Sequence, residues 1–302
     1  MSSILHVYYD MKYAPATFNF SVFLVLANIV RQINGHESMG INIVADNYRK
    51  KTARELSRPE AEMKFRVAHI ISKLHLLIPE VSSFDITTIP LTEIKRPKFP
   101  FNYPPSDDDS IKIPYSDSFL HEFYGKEGIN FRPFRATEQA KFFVNNLFGD
   151  NVITIQLRTS INLGVRNSNL DEWYKVYQEL KRLKFRPVVI PDFEDCMRNK
   201  DYKKYDWEVF EPAAFDHDMR LALSERAVNN LVVNHGAINP MVHSDCPYIL
   251  FKWLSGTVQS TVESHKKRFL LDYGEDFKWA GANQHLIWEP DDADIILKAL
   301  NL

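Results

Sequence analysis

The sequence predicts an α/β protein made of two Rossmann-like domains, and three of its features carry that expectation. Short β-branched runs alternate with segments of helical length and spacing. Several of those runs end on a polar or charged residue, as strands do where they meet a loop. The alternation occurs twice, before and after a break at Gly149-Asp150, and 302 residues suffice for two domains of ordinary size.

Ile4 to Tyr9 reads as a first strand, the loop Met11 to Asn19 follows, and Phe20 to Ile33 is an apolar stretch of helical length. Gly35 and Gly40 punctuate the chain before a second strand, Ile41 to Asp46, which completes a β-α-β unit. Leu56, Met63, Val67, Ile70, Ile71 and Leu74 repeat at helical spacing, so a long helix is expected over Ala53 to Leu74. Between Pro90 and Pro114 lie six prolines and the run Asp107-Asp108-Asp109, a composition that predicts an exposed, mobile loop. Thr137 to Phe148 reads as a helix capped by Thr137 and stopped by Gly149-Asp150, which sets the expected domains at 1–150 and 151–302.

The second half is more regular. Strands are expected at Val152 to Leu157, Pro187 to Pro191, Asn230 to Val233 and Pro247 to Phe251. Helices are expected at Leu170 to Leu183, at Ala214 to Ala227, after the turn at Gly236, and at Asp291 to Leu300.

Composition narrows the function. With 37 basic and 39 acidic residues the net charge is −2, so no global field draws the chain to nucleic acid or anionic lipid. Mean hydropathy is −0.30 and the longest apolar stretch, Val22 to Val30, is too short to span a bilayer. The N-terminus has neither the basic nor the long apolar region of a signal peptide. Cys196 and Cys246 match no disulfide or zinc spacing, which suits a reducing cytoplasm. Neither a P-loop nor a Gly-x-Gly-x-x-Gly motif occurs.

The most informative stretch runs from Ile153 to Ser160 and on to Asn169. In a parallel sheet ligands bind beyond the carboxyl ends of strands, where Arg158 falls. A guanidinium there grips a phosphate through paired, charge-assisted hydrogen bonds. Arg166, Asn167 and Ser168 add donors near the start of the next helix, whose dipole favours an anion. The plainer reading pairs Arg158 with Asp192 at the next strand end and leaves Asn169 and Asp171 as helix caps. In Val232 to Met241 a buried strand runs into Gly236, where Asn234 and Asn239 are placed to meet ribose or diphosphate; a tight turn without a ligand accounts equally for that pattern.

Asp10, directly after the first strand, is the candidate general base, against the alternative of a carboxylate capping a turn. Lys12, Tyr13, Thr17 and Asn19 are the candidate acceptor-binding residues. The Asp-x-Asp spacings at Asp107/Asp109, Asp216/Asp218 and Asp292/Asp294 suit solvated or helix-capping carboxylates better than a metal site, and none is expected. Trp279 to His285 joins an aromatic platform to amides, with packing of Trp279 at a hinge as the simpler role. Lys266-Lys267-Arg268 reads as a solvated helix face.

A strand ending in Arg158, a second arginine in the next loop, then a strand, the turn Asn234-His235-Gly236 and a helix resemble the donor half of GT-B glycosyltransferases. The resemblance is nearest to the fucosyltransferase-like branch, with its chitin-oligosaccharide and protein O-fucosyltransferases. That branch ends the corresponding strand in His-x-Arg, whose arginine binds the donor diphosphate; here the motif reads Gln156-Leu157-Arg158. Tyr8 to Phe20, Arg54-Glu55 and Phe65-Arg66 are similar to a group of bacterial glycosyltransferases. The likeness covers most of the chain, and its specific part lies within residues 152 to 252.

The resemblance implies two domains facing a central cleft, with acceptor on residues 1–150 and nucleotide-sugar donor on residues 151–302. The expected activity is metal-independent transfer of a hexosyl or fucosyl group from a nucleotide-diphosphate sugar to a saccharide, in cytoplasmic synthesis of a surface polysaccharide. The donor is a co-substrate, and no cofactor is implied. The expected donor set is Arg158, Arg166, Asn167, Ser168, Asp192, Asn234, Gly236 and Asn239, with Arg158 and Asp10 catalytic. A nucleotide-sugar epimerase or hydrolase of the same fold, or a non-catalytic nucleotide-sugar-binding protein, is the alternative.

Overall fold

The computed structural model describes residues 3–48, 59–88, 94–104, 114–160, 164–258 and 260–301. The chain divides into two compact units, Met1–Arg135 and Ala136–Leu302, each built on its own parallel sheet.

In the first unit β1 (Ile4–Asp10) leads through α1 (Asn19–Ile33) to β2 (Ser38–Val44), α2 (Glu60–Arg66), β3 (Val81–Thr87) and β4 (Lys98–Phe99). All pairings are parallel, in the order β3-β2-β1-β4. Nearly every residue of α1 is buried, from Phe20 through Val30, which explains why its sequence is apolar all round instead of striped. Gly40 lies inside β2, paired with His6. A Cβ there would meet the Ser83 side chain, Oγ at 2.8 Å, so the glycine leaves room for that hydroxyl within a strand and does not break the chain. The helical pattern expected over Ala53 to Leu74 is present from Glu60 to Leu77, with α2 followed by one wide and one tight helical segment; its first part lies outside the described residues. β3 and β4 arise where no strand was expected, and β4 falls inside the proline-rich stretch. Asp107/Asp109 and Arg54-Glu55 lie outside the described residues.

The second unit opens with α3 (Glu138–Leu147) and β5 (Val152–Gln156), α4 (Leu170–Arg182), β6 (Arg186–Ile190) and α5 (Phe193–Met197). It continues through α6 (Pro212–Phe215), α7 (His217–Arg226), β7 (Asn229–Val233), α8 (Asn239–Val242), β8 (Tyr248–Phe251), α9 (Val262–Phe269), β9 (Gln284–Leu286) and α10 (Ala293–Ala299). Its strand order is β6-β5-β7-β8-β9, all parallel. Leu157, Trp173, Leu180, Val189, Leu231 and Phe251 are among the side chains that fill its core.

The boundary falls at Arg135/Ala136, ahead of the expected 150/151. α3 is tied to α7 of the second unit: Thr137 Oγ1 caps α3 through Ala140 N at 3.3 Å and donates to Asp218 Oδ2 at 2.5 Å, and Ala136 N donates to Glu225 Oε1 at 2.8 Å. The helix expected over Ala214 to Ala227 is two helices, because Asp216 turns its carboxylate onto the N–H groups of Asp218 and Met219 and so starts α7. Asp292 caps α10 in the same way, so both described Asp-x-Asp pairs are structural. Among the described residues no helix is long and apolar enough to cross a membrane.

Candidate functional site

In the second unit the strand order turns back between β5 and β7. This topological switch point is where open parallel sheets leave a crevice beyond their carboxyl ends. β5 and β7 pair as far as Gln156 with Val232, so the residues that follow, Arg158 on one strand and Asn234 to Gly236 on the other, emerge side by side. Two stretches that stand far apart in sequence thus form one end of one sheet.

Arg158 is 7% exposed. Its backbone is clamped: its N–H donates to Ser168 Oγ at 2.9 Å and its carbonyl accepts from Ser168 N at 2.8 Å. Asn167 closes the same loop, its amide bonding Ser160 N at 3.1 Å and Ser160 O at 2.8 Å. Ser168 and Asn167 therefore shape the loop that carries the arginines. Arg166 crosses to the neighbouring strand end, Nη2 donating to Asn234 O at 3.2 Å. Burial lowers the Arg166 guanidinium to about 10, and the charges of Arg158 and Arg268 push in the same direction. Like charges of this kind disfavour the Arg166 cation, and a nearby anion favours it. Arg268, on α9, belongs to a run that reads as a solvated face; only the folded chain brings its charge to Arg166.

Asp192 begins α5, accepting from Glu194 N at 2.9 Å and from Thr159 N at 3.4 Å. Burial raises its carboxyl above the usual range, while Arg158 and Arg220 favour its charged form. Gly236 opens a short turn, and Asn239 is the first residue of the four-residue α8, so the helix expected after this turn is brief. His235 is 8% exposed and its Nε2 is buried without a hydrogen-bond partner. Burial holds its imidazole neutral well below the ordinary range, reinforced by Arg220, Arg158 and Arg166. In the sequence His235, like His6 and His243, invites a metal reading that its place beside a turn does not support.

Gln156, two residues before Arg158, points into the protein. It is fully buried, donates through Nε2 to Ser224 Oγ at 3.0 Å and accepts Arg220 Nη1 at 3.0 Å. Arg220 in turn donates through Nε to Ala213 O at 2.8 Å. Gln156 thus anchors a buried cation beneath the strand end.

Asn169 does not cap α4 with its side chain; a distant carboxylate does that work. Asp291, 3% exposed, accepts from Asn169 N at 2.8 Å and Trp173 Nε1 at 2.9 Å and pairs with Lys252 Nζ at 3.1 Å. Lys252 also reaches Asn167 O at 2.5 Å, tying the arginine loop to β8. Asp291→Ala leaves two donors unpaired and takes the carboxylate from a mostly buried ammonium, and is expected to cost about 3 kcal/mol in urea unfolding.

The first unit has a switch point of its own, between β1 and β4. Asp10, the last residue of β1, is 7% exposed there; its Oδ1 accepts Lys12 N at 2.9 Å and its Oδ2 accepts the Tyr103 hydroxyl at 2.9 Å. Burial pushes the Asp10 carboxyl up, the two hydrogen bonds pull it down, and Asp46 raises it again. Of the expected acceptor residues, Lys12 is exposed, its Nζ 5.2 Å from the Tyr13 ring centre. Thr17 donates to Asn19 Oδ1 at 2.8 Å and Asn19 to Tyr115 O at 3.1 Å, a local arrangement at the start of α1. Trp279 is packed within the second unit against Phe277 and His243. Among the described residues no group of three or more His, Cys, Asp or Glu is placed to hold a metal ion.

Two parallel sheets with helical connections, each with polar and charged residues at its switch point, define a protein of the Rossmann-like α/β class. Among solved structures the chain is similar to a family 9 glycosyltransferase from Veillonella parvula DSM 2008, at 11% identity and TM-score 0.48 over 100% of this chain and 90% of that one. It is also similar to Escherichia coli ADP-heptose LPS heptosyltransferase II, at 9% identity and TM-score 0.47 over 99% of this chain and 97% of the other. An Escherichia coli heptosyltransferase solved with ADP-2-deoxy-2-fluoro heptose matches at 11% identity and TM-score 0.44, over 98% and 99% of the two chains. No family model matches the sequence, and neither does any curated protein.

Proposed function

We propose that the protein is a glycosyltransferase that moves a sugar from a nucleotide-diphosphate donor to a saccharide acceptor in the synthesis of a surface polysaccharide. One observation carries this reading: the switch point of the second sheet brings Arg158 beside Asn234, with Arg166 bridging the two strand ends. Two guanidinium groups at one strand end suit a doubly charged diphosphate.

In the reaction Asp10 takes the proton of the acceptor hydroxyl as its oxygen bonds the anomeric carbon. The bond from that carbon to the diphosphate breaks, and its electron pair leaves on the diphosphate oxygen. Arg158 and Arg166 stabilise the charge that develops there, the task a divalent ion performs in metal-dependent transferases. Asn167 and Ser168 hold the arginine loop, and Asn234 and Asn239 sit where ribose or diphosphate meets the end of β7. Asp192 supports Thr159 and α5 at the rim. The donor belongs to the second unit and the acceptor to the first, through Lys12, Tyr13, Thr17 and Asn19. We take the transferred sugar to be of the hexosyl or fucosyl class and the setting to be cytoplasmic.

The test is a thermal-shift screen of the protein with GDP, UDP, CMP, dTDP and ADP, repeated on Arg158→Ala. A nucleotide at about 100 times its Kd adds roughly 2.7 kcal/mol of stability, which is several degrees in Tm. One diphosphate is expected to give that rise with the native chain and none with the variant. Absence of any rise with the native chain rejects the donor site; slow donor consumption without acceptor would favour the epimerase or hydrolase alternative.

A further inference from the structure

We infer that Tyr103 is a positioning residue for Asp10, holding the carboxylate in the orientation in which it meets the acceptor hydroxyl. This rests on the reading of Asp10 as the general base.

The two residues lie ninety-three positions apart and meet because β1 and β4 are neighbours in the first sheet. Tyr103 is 1% exposed; its ring stacks on Tyr8 at 5.2 Å with 15° between the planes, and Val44 and Ile94 pack around it. The hydroxyl is therefore carried on a rigid mount, and it is spent on Asp10 Oδ2 at 2.9 Å. The Lys12 N–H takes the other oxygen at 2.9 Å. A carboxylate turns easily about its last torsion, so one donor would leave its plane undefined, whereas one donor on each oxygen fixes it. Each oxygen keeps a further lone pair for a substrate hydroxyl.

The direction of proton flow follows from the same contacts. Burial, then the Asp10 charge, push the Tyr103 phenol far above its ordinary range, so Tyr103 keeps its proton and acts as a donor throughout. Asp10 accepts the acceptor's proton and returns it to solvent after transfer. The other titratable groups acting on this pair are Lys12, Tyr13 and Asp46: Asp46 disfavours the carboxylate and the Lys12 ammonium favours it, while Tyr13 acts on Tyr103. Loss of the phenol removes one of the two hydrogen bonds that hold the charged form.

Tyr103→Phe keeps the ring and its stacking and deletes one oxygen. Two measurements apply to the native chain, Tyr103→Phe and Asp10→Asn: carbon-13 titration of the Asp10 carboxyl, assigned by its loss in Asp10→Asn, and the pH profile of transfer from the sugar of whichever diphosphate the thermal screen selects. Tyr103→Phe is expected to move the Asp10 midpoint upward, carry the acidic limb of kcat with it, and lower kcat about tenfold at unchanged donor KM. A purely structural role leaves kcat above the acidic limb undiminished, and that result, with Asp10→Asn inactive, overturns the role of Tyr103 while the base survives. Full turnover by Asp10→Asn overturns the base and this inference together.

Discussion

Arg158→Ala is expected to lower kcat by about 10²- to 10³-fold, the loss that follows removal of one preorganised charged donor from a developing oxyanion. The same substitution is expected to change the stability of the ligand-free protein little. The reason lies in how the residue is held: Ser168 bonds the Arg158 backbone, which alanine also supplies, and the side-chain charge repels Arg166 while favouring the charged form of Asp192, so the electrostatic effects of its loss oppose each other. A fall in turnover with no fall in Tm is the signature of a group whose charge serves a ligand. Arg158→Lys restores charge without the planar fork and is expected to recover only part of the activity. Comparison of kcat/KM and Tm across the three proteins decides the matter, and undiminished turnover in the alanine variant removes Arg158 from the mechanism.

Asp10→Asn is expected to lower kcat by about 10²- to 10⁴-fold, the range for loss of a general base. Its stability should move the opposite way. Burial raises the folded-state pKa of Asp10 above its value in the unfolded chain. In the window between those two values the folded protein binds more protons, so stability falls as pH rises through it. Above the folded value the ionised carboxylate carries its full desolvation cost, which asparagine avoids. The variant is therefore expected to be the more stable protein at pH 7 and to lose that advantage as pH drops to about 4, the ordinary aspartate value. Urea unfolding at both pH values reads the sign directly, and a variant less stable at pH 7 would contradict the account.

Much of the architecture was legible because burial imposes period. β1, α1, β5, α4, β6, β7 and β8 all appear within a few residues of where β-branched runs and helical spacing predict them. β3 was not legible: only its Val81, Phe84 and Thr87 are even partly covered, so no buried stripe marks it. β4 and β9 span two and three residues, too few to show a pattern, and exist because a neighbouring strand offers an edge. Gly40 reads as a break since glycine usually is one; its purpose depends on Ser83, which pairs with it across the sheet.

The candidate site divides along the same line. By itself the sequence determined which residues stand at strand ends, since polarity after an apolar run is local information: Asp10, Arg158, and Asn234 with Gly236. It also determined that any anion site must be local, because net charge is close to zero. Strand order was decided only in the tertiary structure, and strand order makes Arg158 a neighbour of Asn234 and Asp10 a neighbour of Tyr103. The placement of Arg268 by Arg166, the inward turn of Gln156 to Arg220, and the capping of α4 by Asp291 likewise join residues remote in sequence. Periodicity reports which face of an element is covered; it carries no information on which element covers it, and electrostatic partners are chosen by that second fact.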